Sequence, residues 1–144
     1  MITYRPMTLD DYDAILGLMR QTPGVSVREA DSFEATQRYL QRNPQLSFVA
    51  AAGSVLVGCA MSGHDGRRGY LQHVLVLPEF RRQGIDRQLV ELCLQGLAEQ
   101  GIRKCHLDVL KTNPQAADYW ARHGWQLRTD IERFSFTRAG DENA

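Results

Sequence analysis

The chain has 144 residues with 17 basic and 17 acidic side chains, so its formal net charge is zero. A balanced charge offers no electrostatic footprint for nucleic acid or for an anionic membrane surface, and we expect neither as a partner. With 43% hydrophobic and 24% charged residues, the composition is that of an ordered globular domain. A chain of this length buries roughly 68–70% of its unfolded surface and needs no disulfide or metal for stability.

The amino-terminal residues and the cysteines indicate the compartment. Residues 1–10 contain no basic segment followed by an apolar core, so we expect no signal peptide. The longest nearly apolar run, residues 48–61, contains two glycines and is too short to cross a bilayer. Cysteines 59, 93 and 105 show no C-x-x-C spacing and are predicted to be reduced core thiols. We therefore predict a cytoplasmic protein.

Hydrophobic periodicity and turn residues divide the chain into short elements. Helical spacing, capping residues and Gly or Pro breaks predict helices at residues 9–22, 33–42, 84–100 and 114–123. Shorter apolar runs bounded by turns predict strands at residues 2–6, 46–52, 55–62, 69–77 and 102–110, and a closing hairpin at residues 125–137.

The order of these elements predicts the fold class. Neighbouring strands joined by tight turns pair antiparallel, whereas the strand at 69–77, its following helix and the strand at 102–110 form a right-handed parallel crossover. We predict an α/β fold on a single mixed, mostly antiparallel sheet. No repeat or linker divides the sequence, so we expect one domain over 1–144, structured over about 2–138 with a short C-terminal tail.

The most informative segment is VLVLPEFRRQGIDRQL at residues 74–89, in which a buried strand enters a basic loop and then a helix. Free N–H groups and the dipole at a helix start attract anions. Gly84 permits close approach of a phosphate, and Arg81, Arg82 and Arg87 add positive charge. The segment therefore predicts a phosphate site, although it contains no P-loop or dinucleotide fingerprint. The alternative is a turn with solvated arginines.

The run R-x-x-G-x-D at residues 81–86 resembles motif A of the GNAT superfamily of N-acetyltransferases, [QR]-x-x-G-x-[GA], whose amides hold the pyrophosphate of acetyl-CoA. N-x-x-A at 113–116 followed by G-W at 124–125 is similar to a later signature of that family. The resemblance implies a single GNAT-like domain, with the parallel crossover at the CoA site and acetyl-CoA as co-substrate. The residues it implies at that site are Val74, Val76, Arg81, Arg82, Gln83, Gly84, Ile85, Asp86, Arg87, Asn113 and Trp120.

Two positions depart from the family pattern. Asp86 stands where Gly or Ala is usual, and its carboxylate would repel a phosphate, so we predict weakened but retained CoA binding. Trp120 stands where the family often has a tyrosine that protonates the departing thiolate, which indole cannot do. Tyr119 lies about 100° around the helix and points elsewhere. We interpret Trp120 as a wall along the pantetheine arm, with core packing as the alternative.

The resemblance implies that an amine attacks the thioester directly, without a covalent enzyme intermediate. Backbone groups near Val74 and Val76 would pair with the pantetheine amides and polarise the thioester carbonyl. Asn113 would reach the same arm or simply cap its helix.

The candidate catalytic side chains are Tyr70, Gln72 and His73. Strand alternation places Tyr70, Gln72, Val74 and Val76 on one face, and Leu71, His73, Leu75 and Leu77 on the other. On the face with the acetyl group, Gln72 would orient a water. His73 is the residue type that titrates near neutral pH, yet it lies on the opposite face unless a bulge redirects it.

Two further groups of polar residues are weaker candidates. Glu29 and Asp31 would bind a substrate ammonium or form a solvated loop with a helix cap, and we favour the loop. Cys105, His106 and Asp108 have no second pair at ligand spacing, so we expect no metal site.

The sequence thus predicts an acetyltransferase that moves acetyl from acetyl-CoA to a primary amine of a small molecule or peptide. The alternatives are a CoA-binding or sensing domain with little or no turnover, suggested by Asp86 and the missing tyrosine, and a domain that binds no CoA. Residues 22–30 and 128–133 would select the amine, but neither segment carries a readable code. Whether the chain is a monomer or a homodimer is likewise not encoded in any motif.

Overall fold

The computed structural model describes residues 1–138 and 143–144. These residues belong to two compact units, Met1–Leu107 and Asp108–Ala144. Part of the predicted C-terminal tail, residues 139–142, lies outside the described residues. None of the helices in the described part of the chain combines the length and the apolar composition needed to cross a membrane.

The first unit contains a sheet and three helices. Its strands are β1 (Ile2–Pro6), β2 (Phe48–Ala52), β3 (Val55–His64), β4 (Gly69–Val76) and β5 (Cys105–His106). Its helices are α1 (Tyr12–Gln21), α2 (Phe33–Arg42) and α3 (Ile85–Glu99), with single 3-10 turns at Leu9–Asp11, Glu29–Asp31 and Pro78–Phe80. The second unit contains helix α4 (Pro114–Arg122).

The five strands form one sheet in the order β1-β2-β3-β4-β5. The first three pairings are antiparallel, and β4 pairs with β5 in parallel across the α3 crossover. This arrangement confirms the predicted α/β class and the mixed, mostly antiparallel sheet.

Each face of the sheet carries its own part of the core. On one face, α1 packs its buried residues against the middle strands in a cluster of Met7, Ile15, Leu18, Met19, Val49, Cys59, Met61 and Leu75. On the other, α3 buries Leu97 against Leu46 and Ile102. Each fully buried side chain of this size contributes about 1.5–3 kcal/mol of transfer free energy. The sheet is therefore packed on both faces, and β4 lies between β3 and the short strand β5.

One predicted strand is shorter than expected, and the predicted closing hairpin is wrong over the described residues. The strand predicted at 102–110 is reduced to Cys105–His106, because β4 offers β5 a partner only at Gly69 and Tyr70. The hairpin predicted at 125–137 contains no strand among the described residues. Its apolar side chains stay in solvent, with Phe134 90% exposed, so alternation there buries no face that would stabilise pairing.

Candidate active site

The centre of β4 carries a β-bulge. Cys59 lies opposite Leu75 and Met61 lies opposite Gln72, so three steps along β4 match two steps along β3. Within the bulge, His73 has a φ of +51°, in the left-handed region. A non-glycine residue held there costs of order 1–3 kcal/mol, and such strain is concentrated at functional sites.

The bulge overturns the predicted grouping of side chains on β4. Gln72 and Leu75 were expected on opposite faces, yet their partners Met61 and Cys59 belong to the same α1 side of the core. Val76 lies opposite Gly58, whose missing Cβ would meet the α3 side chain of Leu89, so Val76 faces α3. Gln72 and His73 therefore both face α1 and α2. From the sequence, His73 was expected on the opposite face unless a bulge redirected it, and the bulge is present.

His73 is held by a carboxylate from a distant turn. Its Nε2 lies 2.9 Å from Oδ1 of Asp31, and the two side chains are only 21% and 13% exposed. An ionised Asp31 only accepts hydrogen bonds, so Nε2 carries the proton and donates it to this contact. The second ring nitrogen, Nδ1, has no hydrogen-bond partner among the described residues. The Asp31 contact therefore fixes the orientation of the imidazole through Nε2 alone.

Asp31 is itself fixed by three contacts. Its Oδ2 accepts the Arg28 N–H at 2.8 Å, and its carbonyl accepts the Tyr12 hydroxyl at 2.7 Å, in addition to the His73 contact. The residue caps its turn as predicted, but the preferred expectation of a solvated loop residue is wrong, because the carboxylate is mostly buried against His73. Asp31 is therefore a positioning residue for the imidazole.

A cavity of about 250 Å³ opens beside this pair, between α1, α2 and β4. Apolar and polar side chains line it in similar numbers, and the polar ones are Tyr12, Asp31, Thr36, Arg38, Tyr39, Gln72 and His73. Tyr70, the third catalytic candidate, is 41% exposed and does not line this cavity. Its ring lies 5.7 Å from that of His106. The structure thus brings Gln72 and His73 together and leaves Tyr70 outside.

Sequence reasoning missed the α1 and α2 residues of this cavity. Arg38 and Tyr39 lie on α2, which was predicted with its observed bounds, but nothing local showed which of its faces would meet β4. The only available indication was the amphipathic pattern of the helix, and that pattern favours core packing equally well.

The loop after β4, residues 77–84, together with the start of α3 is the predicted anion cradle, and its backbone conformation is as follows. It passes through the Pro78–Phe80 turn and two left-handed residues, Arg82 at φ +64° and Gly84 at φ +77°, before α3 begins. The first backbone hydrogen bond of α3 joins the Gln88 N–H to the Gly84 carbonyl at 3.0 Å. The N–H groups of residues 85–87 precede that bond and point out of the helix start.

The side chains of the cradle differ in exposure, one being buried and the others exposed. Ile85 is buried at 2% and anchors the helix start in the core, so only its backbone N–H is available to a ligand. Exposed side chains surround it at Arg81, Arg82, Gln83 and Arg87. The positive charge predicted from the sequence therefore lies on the same surface as the free N–H groups.

Asp86 lies within electrostatic reach of β1. Burial and, secondarily, the Asp86 charge raise the pKa of Tyr4 above its ordinary value. The carboxylate is partly buried and lies close enough to the Tyr4 phenol to act on its ionisation. The Asp86 charge therefore acts on β1 as well as lying at the start of α3.

The edge of β4 beyond Tyr70 has no strand beside it on the β5 side within the described residues, since β5 pairs only at Gly69 and Tyr70. Val74 and Val76, the predicted cofactor residues of this strand, lie on that part of β4 and are half-buried. The edge runs directly into the cradle, because Leu77 and the Pro78 turn follow Val76 without interruption.

The two remaining predicted cofactor residues belong to the second unit. Asn113 is the N-cap of α4, and its Oδ1 accepts the Ala116 N–H at 3.1 Å. Trp120 makes edge contacts with the rings of Tyr119 and Trp125, with centroids 5.1 Å and 5.3 Å away. The capping alternative for Asn113 is thus observed.

All three cysteines are free thiols rather than disulfides. Burial raises the pKa of Cys59 and of Cys93 to about 12, and that of Cys105 to about 11. A thiol with such a pKa holds almost no thiolate at neutral pH and is a poor nucleophile.

A mixed sheet with a phosphate cradle directly after β4 is the arrangement that the sequence resemblance implies for an acetyl-CoA-dependent transferase. The model of the acetyltransferase (GNAT) family matches residues 12–125. The chain belongs to the GNAT acetyltransferase family, whose co-substrate is acetyl-CoA.

Relatives and solved structures agree with this assignment. An acetyltransferase of Pectobacterium atrosepticum is 31% identical over 104 residues, which cover 72% of this chain and 73% of that protein. The PaiA N-acetyltransferase of Thermoplasma acidophilum, solved with coenzyme A, has a TM-score of 0.78 at 19% identity over 91% of this chain and 93% of that one. AAC(6')-Iy, solved with a bisubstrate analogue, has a TM-score of 0.72 at 23% identity over 96% and 99% of the two chains. At these identities the structural likeness concerns the fold.

Proposed function

We propose that the chain acetylates a primary amine of a small molecule or peptide by direct transfer from acetyl-CoA, with His73 as general base. The observation that carries this proposal is the His73–Asp31 contact of 2.9 Å beside a cavity, in a strand that leads directly into the anion cradle. The proposed compartment is the cytoplasm, supported by the three unpaired thiols.

The acceptor amine attacks the thioester carbonyl carbon, so a C–N bond forms as the C–S bond breaks. The amine proton passes to Nδ1 of His73, directly or through a water that Gln72 orients, and CoA leaves as the thiolate. An ordinary thiol has a pKa of about 8.5, so the thiolate leaves without a tyrosine acid. With no reactive cysteine thiolate, the transfer needs no covalent enzyme intermediate.

Acetyl-CoA is held by backbone groups more than by side chains in this proposal. The β4 edge at Val74 and Val76 pairs with the pantetheine amides, and an N–H there stabilises the oxyanion. The cradle from Arg81 to Arg87 binds the pyrophosphate through helix-start N–H groups and arginine charge. Tyr70 is proposed at the mouth of the acceptor side, whereas Asn113 and Trp120 remain cofactor residues only by the sequence resemblance.

Calorimetric titration with acetyl-CoA and CoA, followed by a thiol-release assay over a panel of primary amines, tests the function. We expect saturable binding near one per chain and thiol release that depends on the amine. Binding without amine-dependent thiol release would favour the alternative, a CoA-sensing domain. No binding up to millimolar CoA would reject both functions.

Asp86→Asn is expected to tighten CoA binding only modestly. At the surface, with a dielectric near that of water, charges about 5 Å apart repel by about 0.8 kcal/mol, which is roughly fourfold in Kd. Calorimetry at low and high salt measures the change, which shrinks at high salt because the interaction is screened. Asp65→Asn is the control, since Asp65 lies in the β3–β4 turn and is fully exposed. An unchanged Kd for Asp86→Asn would show that its carboxylate does not face the pyrophosphate.

A further inference from the structure

The cavity beside His73 contains one charged side chain that the proposed mechanism does not use. Arg38 lines the cavity from α2, and its guanidinium makes no ion pair or hydrogen bond with any described residue. Asp31, the carboxylate on the opposite wall, is fully engaged: Oδ1 contacts His73 and Oδ2 accepts the Arg28 N–H. Both oxygens of Asp31 therefore already accept hydrogen bonds, and the charged group of the cavity that has no partner among the described residues is the Arg38 guanidinium.

A second polar group in the same cavity also has no partner. The Tyr39 hydroxyl oxygen is buried, with no hydrogen-bond partner among the described residues. Burial raises the pKa of Tyr39 to about 12, and the nearby Gln72 side chain acts in the opposite direction. The phenol is therefore a protonated donor at neutral pH, and leaving a buried donor without an acceptor is costly.

Arg38 and Tyr39 are about 100° apart around α2, yet both line the same small cavity, Arg38 with an exposed side chain and Tyr39 with a buried hydroxyl. A guanidinium offers a planar fork that matches a carboxylate, and a phenol hydroxyl is a neutral donor to the same kind of oxygen. The volume of about 250 Å³ is below the ~300–1,000 Å³ of sites for drug-sized ligands, which favours a short acceptor. The apolar wall formed by Ile15, Leu16 and Met19 has room for a few carbon atoms between an amine and an acid.

We propose that the acceptor is a small amino acid whose carboxylate is held by Arg38 and Tyr39 while its amine faces His73. This proposal rests on the proposed acetyl transfer and specifies its substrate class. The unpaired guanidinium would repel a polycation, so polyamines and aminoglycosides are disfavoured acceptors.

The test compares L-amino acids with their carboxamides, which keep the amine and side chain but replace the carboxylate by a neutral group. Values of kcat/KM are expressed per free amine, because the amides have less basic amines. We expect the wild-type protein to prefer the best acid over its amide by about 10- to 100-fold, the effect of one charge-assisted contact. In Arg38→Gln we expect this ratio to fall to near one.

Arg42→Gln is the matched control, because Arg42 is exposed on the same helix and does not line the cavity. It should keep the wild-type ratio of acid to amide. Equal use of acid and amide by the wild-type protein, preferred use of a polyamine, or a preference that survives in Arg38→Gln would overturn the proposal.

Binding separates failure of this proposal from failure of the proposed function. The shift in thermal midpoint of the CoA-loaded protein is measured with the acid and with its amide. Acid binding that Arg38→Gln abolishes, without thiol release, supports the Arg38 site and rejects acetyl transfer. Thiol release with amides or polyamines and none with acids supports acetyl transfer and overturns the Arg38 site. No binding of any acid also overturns the site.

Discussion

Replacing His73 by asparagine is expected to lower kcat/KM for acetyl transfer by roughly 10²- to 10⁴-fold, the usual contribution of a positioned general base. Asparagine is chosen because it tolerates the left-handed backbone better than most residues, and His73 has a φ of +51°. The substitution should therefore remove the imidazole while keeping the bulge. Steady-state thiol-release kinetics measure the loss, and circular dichroism with thermal unfolding checks that the fold is retained.

Two readouts distinguish a base from a merely structural histidine. The acid limb of the pH–rate profile, which reports protonation of the base, should disappear in His73→Asn. In His73→Gly, which also fits the left-handed backbone, added imidazole should restore part of the rate. A structural role would give neither result.

Asp31→Asn is expected to lower the rate less than His73→Asn, because the imidazole remains but loses its anionic partner 2.9 Å away. His64→Asn is the control, since His64 bonds Gln100 and the Gly66 N–H outside the cavity and should leave the rate unchanged. If His73→Asn keeps the wild-type rate and pH profile, another group or bulk water removes the amine proton.

Most elements could be predicted because their signals are local. The bounds of α2 are those predicted, since Ser32 accepts the Ala35 N–H at 3.1 Å at the helix start and Pro44 follows its end. The anion cradle could likewise be located, because strand, loop and helix start are contiguous in the sequence and need no distant partner to form.

The residues on the acceptor side could not be predicted, because their arrangement depends on contacts between distant parts of the chain. His73 and Asp31 are 42 positions apart, and only packing of the 29–31 turn against β4 brings them together. Period-two alternation on β4 was a sound rule until the bulge inserted one residue and moved Leu75 to the face of Gln72. The strand expected at 102–110 forms only at Cys105–His106, and the hairpin expected at 125–137 contains no strand among the described residues. β-propensity describes how well a segment suits pairing and does not supply a partner strand.

The cradle can be tested with two glycines that share a backbone conformation and differ in position. Gly84 has a φ of +77° at the start of α3, and Gly66 has a φ of +97° in the turn between β3 and β4. A Cβ added at either position would meet nothing within 4 Å, so alanine introduces backbone strain without a clash. That strain costs roughly 1–2 kcal/mol for an L-residue in the left-handed region.

Both Gly84→Ala and Gly66→Ala should therefore lower the free energy of unfolding by a similar amount, but only Gly84→Ala should weaken CoA binding. Alanine at 84 favours other loop conformations and reduces the population in which the N–H groups of 85–87 point at the pyrophosphate. A bias of about 1–2 kcal/mol corresponds to a rise in Kd of roughly 5- to 30-fold. Calorimetry with CoA and with pantetheine shows whether the lost affinity belongs to the pyrophosphate. Pantetheine lacks the pyrophosphate and should bind both variants alike. Equal CoA affinities in the two variants would mean that the N–H groups at the start of α3 do not hold the pyrophosphate and that arginine charge alone attracts it.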